Sequence, residues 1–394
     1  MSGAELLKAH AASYRAELIE EVLPFWLQHG LDHDEGGFYS CLGRDGALLD
    51  DDKSGWVQGR FTWLLSRVHS ELGGDLGCYE AAQRGIDFIR QRGFAPDGRM
   101  WFQLDREGRG LRKRRYAYTE FFGAMAFAEW FRISGDEEAR VEALRLFRLA
   151  CSDMRGGRGP EKFEPERPAK ALGVPMITLG VAHVLEDCGC GEEVRAEREA
   201  AVAELRGDFT HPGSGALLES VGLLEDLSGH MDCRVVNPGH SIEAAWFLME
   251  EHHRRGCDAL LADALRVLDA SWELGWDKEH GGLLSLVDVS GAPVQELWAE
   301  LKLWWPHCEA ILAFLNAAKA TGDKAHLDRW RIVHDWTYER FPDPEHGEWF
   351  GYLRRDGSVM NQAKGNLWKG PFHIPRMLLM ASSLCEELAG SLGD

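Results

Sequence analysis

Apolar residues recur along this chain at helical spacing, in pairs of segments separated by turns. "GWVQGRFTWLLSRVHSELGG" followed by "GCYEAAQRGIDFIRQRGF" is one pair, and "LKLWWPHCEAILAFLNAAKATGD" followed by "AHLDRWRIVHDWTYERF" is another. A second pattern lies between the pairs. "DHDEGGFYSCLGRDG" at 32–46, "DKEHGGLLSLVDVSG" at 277–291 and "DPEHGEWFGYLRRDG" at 343–357 each begin with an acid, carry Gly four residues on, and close on Gly fourteen residues on. Between those glycines the residues alternate or run apolar, which predicts a short hairpin strand entered and left by turns. Looser copies are "APDGRMWFQLDREG" at 95–108 and "HPGSGALLES" at 211–220. Asp277 and Asp343 stand 66 residues apart, and 394 residues hold close to six such intervals, so the repeat predicts six helical hairpins.

A repeat that cannot bury its own apolar face must stack on its neighbours, and six hairpins can close into a ring. The expected product is all-α: an (α/α)6 barrel with inner helices around an axis, outer helices behind them, and short β-hairpins in the rim loops. An open superhelix is the alternative. Closure is favoured because the segments 240–255 and 299–318 are apolar nearly all round, as helices packed on both sides must be. No Pro/Ser-rich linker interrupts the chain, so residues 1–394 are expected to form a single catalytic domain.

Composition narrows the partners. Forty-four basic against 64 acidic residues give a formal charge of −20, which repels a phosphate backbone and an anionic membrane alike. Nine scattered cysteines, with only Cys188 and Cys190 close together, make neither a disulfide framework nor a spaced zinc site, and a reducing cytoplasm is expected. The charged, amphipathic start "MSGAELLKAHAASYRAELIEEVLPFW" reads as the first helix, not as a signal peptide or a membrane span. A homodimer is left open.

The barrel geometry then places the polar residues. In "NPGHSIEAAWF", Asn237, Pro238 and Gly239 read as a turn, and His240 stands where it becomes a helix; "WKGPFHIPRMLLM" repeats this grammar around His373. Arg60, Glu120, His240, Glu243, Glu309 and His373 all fall in the first turns of inner helices, so all are expected to face one cavity. His240 and Glu243, three apart, share a helix face. Many of the 15 tryptophans sit at the same helix mouths and suit a pocket that stacks sugar rings. The structural alternatives are helix-capping or core histidines at 240 and 373, an Arg60 paired to a loop carboxylate, and tryptophans that pack the rim. His307 reads as structural, as do His33, His280 and His346 in the repeat loops.

"GWVQGRFTW", "NPGHSIEAAW", "KLWWPHCEA" and "WKGPFHIPR" together resemble the N-acylglucosamine 2-epimerase family, whose wider group includes cellobiose 2-epimerases and mannose-type aldose-ketose isomerases. The four blocks are collinear from about residue 20 to residue 380. The resemblance implies an (α/α)6 barrel and interconversion of N-acyl-D-glucosamine and N-acyl-D-mannosamine. Epimerisation at C2 needs an open-chain aldehyde, loss of the C2 proton to give an enediolate, and return of a proton to the opposite face. Two faces call for two proton carriers, and imidazole, with a pKa of about 6.5, suits both.

The resemblance makes His240 and His373 the acid/base pair and puts Arg60 at the oxygen that gains negative charge. Glu243 and Glu309 are assigned to orienting an imidazole or holding sugar hydroxyls, Trp305 and Trp368 to stacking. Glu120 and Tyr116 are carried over from a less distinctive block. Because a helix N-terminus disfavours imidazolium by roughly 0.3–1 kcal/mol, the resting base is expected to be neutral. No metal and no cofactor is required by this chemistry. The resemblance also implies activation by ATP, for which the chain offers only the glycine-rich basic stretch 155–163, which fits no phosphate-loop pattern.

Members acting on unmodified sugars carry a histidine on the helix that reads "GVPMITLGVAHVLED" here, where Met176–Thr178 stand and no histidine comes before His183. That leans toward the N-acyl type, although N-acyl enzymes commonly have Asn where Val174 stands. The remaining alternatives are an aldose-ketose isomerase, a cellobiose 2-epimerase, a glycoside hydrolase on the same toroid, and a non-catalytic binding protein.

Overall fold

The computed structural model describes residues 3–74, 76–114, 116–156, 166–224 and 227–392. Helix α1 (Gly3–Glu17) runs through one π-helical turn, Leu18–Val22, into α2 (Leu23–His29). Five helical hairpins follow: α3 (Gly55–Leu72) with α4 (Cys78–Arg92), α5 (Tyr118–Ser134) with α6 (Glu137–Met154), α7 (Gly173–Leu185) with α8 (Gly191–Gly207), α9 (Pro238–Arg255) with α10 (Asp258–Gly275), and α11 (Trp304–Thr321) with α12 (Lys324–Arg340). The last helix, α13 (His373–Ser391), finds its outer partner in α1, so the sixth hairpin joins the two ends of the chain. Ser382 of α13 donates to the Ala11 carbonyl at 3.0 Å across that seam. Helices α3, α5, α7, α9, α11 and α13 each touch the next, and α13 touches α3, which closes an (α/α)6 barrel. The open superhelix is thereby excluded.

The two helix classes follow from burial pattern. In α5 every residue from Thr119 to Trp130 is buried, as an inner helix packed on both sides requires, whereas α4 buries a stripe through Ala81, Ala82, Ile86 and Ile89. Two outer helices start on aspartate caps: Asp136 accepts from the Glu138 and Ala139 amides at α6, and Asp323 from the Ala325 amide at α12. Inner helices approach closely where the side chain is missing. A Cβ at Gly59 of α3 would stand 2.7 Å from the Phe122 backbone of α5.

The acid-first repeat is a folding device. Asp32, Asp277 and Asp343 are buried, and each caps its own turn by accepting amides two or three residues on. The glycines four residues on, Gly36, Gly281 and Gly347, adopt φ of 79°, 69° and 67°, and the closing glycines Gly46, Gly291 and Gly357 adopt 83°, 77° and 87°. Only glycine takes these angles without strain, which explains why both positions recur. Each aspartate pairs with a buried lysine, Lys53, Lys302 or Lys364, at 3.0, 3.0 and 2.9 Å, and with an arginine, Arg106, Arg355 or Arg44.

The predicted hairpins form at Cys41–Leu42 with Leu48–Asp50, Gln103–Leu104 with Gly110–Arg112, and Tyr352–Leu353 with Val359–Asn361. The 277–291 copy departs from expectation: Val287–Asp288 pairs with Val235–Val236 of the preceding loop instead of closing on itself. Residues 299–303 are also not helical, since Lys302–Leu303 is a strand and α11 begins at Trp304. No helix among the described residues is long and apolar enough to cross a membrane. Residues 157–163 of the glycine-rich stretch lie outside the described residues.

In all three loops, burial opposes the aspartate charge, and the arginine and lysine partners outweigh it, holding the carboxyl well below its ordinary range. Their stabilisation is present above the unfolded carboxylate pKa of about 3.9 and is lost as pH falls through the depressed folded value. Replacing Asp343 with Ala leaves Lys364 buried without its carboxylate, and should cost about 3–5 kcal/mol in a denaturant-unfolding midpoint.

Candidate active site

The mouth of α9 is built to hold His240. Asn237 caps the helix by accepting the His240 amide at 3.2 Å, and Pro238 takes the first position, where no amide is needed. Gly239 lets an indole in: a Cβ there would stand 2.6 Å from the Trp305 ring. Trp305 consequently lies against the His240 imidazole, 4.9 Å between ring centroids. The Nδ1 atom of His240 faces the Glu219 carboxylate at 3.0 and 3.2 Å, which leaves Nε2 as its free nitrogen.

His373 is the first residue of α13, and its Nδ1 faces Glu309 at 2.7 Å. Its ring also lies against Trp305, 5.8 Å between centroids. Two imidazoles more than a hundred positions apart in the chain therefore meet on one indole and open on one cavity, close enough to flank a small ligand. Beneath them Arg376 reaches from α13 between two carboxylates, its Nη2 donating to Glu309 at 2.5 Å and Glu243 at 2.9 Å. Trp246 Nε1 donates to the other Glu309 oxygen at 3.0 Å. Glu243, Glu309 and His373 bring donor atoms within 4.8 Å of one another, and the cation among them is the Arg376 guanidinium.

The cavity has a volume of about 830 Å³. Arg60 projects into it between the rings of Phe122, Phe372 and Trp56, at 3.9, 4.6 and 5.1 Å from guanidinium carbon to centroid. Its Nε is buried with no protein partner, and so are Nε1 of Trp56, Trp63 and Trp304 in the same walls. The cavity thus combines aromatic walls with the Arg60 cation and the Glu243 carboxylate, a mixture of apolar faces and polar groups that suits a sugar.

The two histidines sit in opposite fields. Burial depresses His373, the Arg376 and Arg60 cations depress it further, and its pKa lies well below 6.5. Burial also opposes charge on His240, but Glu219, aided by Glu243 and Glu309, more than offsets this and raises its pKa. A neutral resting imidazole is favoured at His373, whereas at His240 the neighbouring carboxylate favours the protonated form and opposes the helix N-terminus. Burial pushes Arg60 down to about 9, which leaves it protonated at neutral pH.

Of the residues singled out from sequence, Arg60, His240, Glu243, Trp305, Trp368 and His373 line the cavity, with Trp368 half-exposed at its edge. Glu309 lies just behind the wall and acts on His373 and Arg376. Glu120 does not face the cavity. Tyr118, Phe122 and Met125 form the inward stripe of α5, and Glu120, two residues after Tyr118, points the other way, where it accepts the Met100 amide at 2.9 Å and pairs with Arg99. Tyr116 is likewise not in the lining; Tyr118 is. His307 is structural as expected, accepting the Leu283 amide and bonding the Leu303 carbonyl. Met176 and Ile177 form apolar wall where a histidine was sought, and His183 pairs with Glu251 at 2.8 Å.

Glu219 and Arg376 were missed. Arg376 stood in the quoted block "PFHIPR", three residues after His373, and i, i+3 spacing alone would have put it on the same face. Glu219 follows an irregular loop and carried no local signal.

The sequence profile of N-acylglucosamine 2-epimerase (GlcNAc 2-epimerase) matches residues 37–373. The chain belongs to this family. It is 38% identical to N-acylglucosamine 2-epimerase of Bos taurus over 96% of this chain and 90% of the relative, and 36% identical to that of Homo sapiens over 95% and 89%. In structure it is similar to cellobiose 2-epimerase from Spirochaeta thermophila, with a TM-score of 0.83 at 23% identity, covering 99% of both chains. Membership makes this N-acylglucosamine 2-epimerase family protein an isomerase-class enzyme acting on carbohydrates.

Burial is the largest cause of the low His373 pKa and Arg376 adds to it, so replacing Arg376 with Gln should raise the His373 pKa toward its ordinary value. NMR titration of labelled histidine checks this as an upward shift of one imidazole midpoint.

Proposed function

We propose that this enzyme interconverts N-acyl-D-glucosamine and N-acyl-D-mannosamine by proton transfer at C2 of the open-chain sugar. The observation that carries the reading is the pair of imidazoles on one indole, each with Nδ1 held by a carboxylate and Nε2 left over, and with their pKa values displaced in opposite directions. These opposite displacements suit His373 to the role of base and His240 to that of acid. His373 Nε2 takes the C2 proton, and the electron pair moves to the C1 oxygen as an enolate forms; because C2 of an N-acyl sugar bears nitrogen, this enolate takes the place of the enediolate of an unmodified sugar. His240 Nε2–H then delivers a proton to the opposite face of C2, the C1 carbonyl re-forms, and the pair has exchanged charge states.

Arg60 supports the oxyanion. Its unpartnered Nε and the flanking aromatic rings place an undiluted positive charge in a dry wall, where a developing negative oxygen gains most. Every step is a proton transfer between a side chain and the sugar, so the proposed chemistry is free of metal and organic cofactor. The choice of an N-acylated sugar rests on the mammalian relatives' names and on the apolar Met176–Ile177 wall. The acidic excess favours a free sugar over nucleic acid or membrane, and the free thiols favour a reducing cytoplasm.

Isomerisation to a ketose is the second reading, for a sugar with a 2-hydroxyl: loss of the C2 proton then gives an enediolate, and reprotonation at C1 in place of C2 gives the ketose. A glycoside hydrolase is disfavoured: Glu243 and Glu309 close on one guanidinium nitrogen, which leaves neither as the free proton donor that such cleavage needs.

Incubation with N-acetylglucosamine, N-acetylmannosamine, mannose, glucose and cellobiose in deuterated water, followed by NMR, tests the proposal. The expected result is an aldose product of the N-acyl sugars carrying deuterium at C2, while unreacted substrate keeps its proton in early turnover. A ketose product overturns epimerisation in favour of isomerisation. Replacing either His240 or His373 with Asn should lower kcat by roughly 10²–10⁴-fold with the protein still folded.

A further inference from the structure

We propose that Glu219 is a positioning residue that fixes His240 with its proton on Nδ1 and Nε2 toward the sugar, and thereby sets the alkaline limit of turnover. This deepens the acid/base reading given above and rests on it.

The argument begins with the backbone. Glu219 is in a rim loop, yet both of its peptide groups are held: its amide donates to the Val235 carbonyl at 2.8 Å, and its carbonyl accepts the Leu172 amide at 3.0 Å. It directly precedes the strand Ser220–Gly222, which pairs with Ala169–Ala171. The same loop is tied to α9 where Ser241 Oγ accepts the Leu217 amide at 3.0 Å. The carboxylate and the imidazole are therefore presented on two backbones that are each anchored and joined to each other. Both carboxylate oxygens lie within 3.2 Å of Nδ1, so the contact survives rotation of either oxygen into place. An acceptor-only partner compels Nδ1 to carry hydrogen, and any proton on Nε2 is then the one that can leave for carbon.

Other charged or titratable groups around His240 are Glu243 on its own helix, Tyr118 from α5, Glu309 from α11, Arg60 from α3, and His373 with Arg376 from α13. Glu243 and Glu309 are already bonded to Arg376, and none of these groups bonds His240. Glu219 is the one carboxylate bonded to it among the described residues, and about a third of its side chain is exposed. The carboxylate that orients the imidazole is thus itself partly open to solvent.

The test compares the wild type with E219Q and E219D. Labelled-histidine NMR follows the His240 midpoint, which requires no turnover and so separates failure of this proposal from failure of the epimerase reading. In E219Q the midpoint should fall by about 1 unit or more. The alkaline limb of the kcat–pH profile should move down with it, in both reaction directions, with kcat lowered and KM little changed. E219D, which keeps the charge, should stay nearer the wild type in both readouts. An unchanged His240 midpoint in folded E219Q, or a fall in kcat with the alkaline limb in its wild-type place, overturns the proposal.

Discussion

The site depends on one buried cation. Arg376 places a guanidinium between Glu243 and Glu309, and without it two carboxylates would be forced together inside the barrel wall. Burying charge is tolerable only when it is paired and hydrogen-bonded. This pairing has a consequence beyond stability. Glu309 is drawn on by Arg376, Trp246 and His373 together, so its negative charge is shared and does not pull a proton onto the imidazole beside it. His373 thus gains an orienting carboxylate while burial and the arginines keep its pKa low. His240 has an orienting carboxylate with no arginine bonded to it, and its pKa is raised.

The barrel is what brings these groups together. Inner helices all enter from the loop rim, so the first turn of each contributes side chains to the same end of the axis, and α13 can meet α9 although α11 separates them around the ring. The loops feeding the helices must be rigid for this to work. Their aspartates, buried lysines and left-handed glycines supply that rigidity three times over with one set of residues. A lysine buried against an aspartate stabilises little relative to an apolar pair, but it admits few alternative arrangements of the turn.

Much of this was legible before any coordinates. The repeat spacing yields hairpin number, hairpin number yields closure, and closure puts His240 and His373 at one rim. Local periodicity identified helices well because inner helices are apolar enough to leave no doubt. It failed at Glu120 for a simple reason: being in the first turn of an inner helix does not say which face a residue occupies, and two positions from the inward Tyr118 is the far side. It failed at Glu219 because loop register across the strand pairing of residues 169–171 with 220–222 is a tertiary fact. It missed the upward pull on the His240 pKa because helix position was counted and the partner across the loop was not.

An enzyme that runs a reaction both ways on one carbon meets a constraint that the two carboxylates resolve. In the proposed mechanism the pair must hold one proton in total, on His240 before reaction in one direction and on His373 before reaction in the other. Each unit by which their pKa values differ favours one placement by 1.36 kcal/mol, and the direction that starts from the rarer placement is slowed accordingly. The surroundings cannot alter the equilibrium between the sugars, so any such bias must appear in KM as well as in kcat. Giving both rings a carboxylate limits the bias, since the imidazolium that forms on His373 during turnover meets Glu309 at 2.7 Å. The arginines keep His373 ready to accept a proton, and Glu309 keeps it able to carry one.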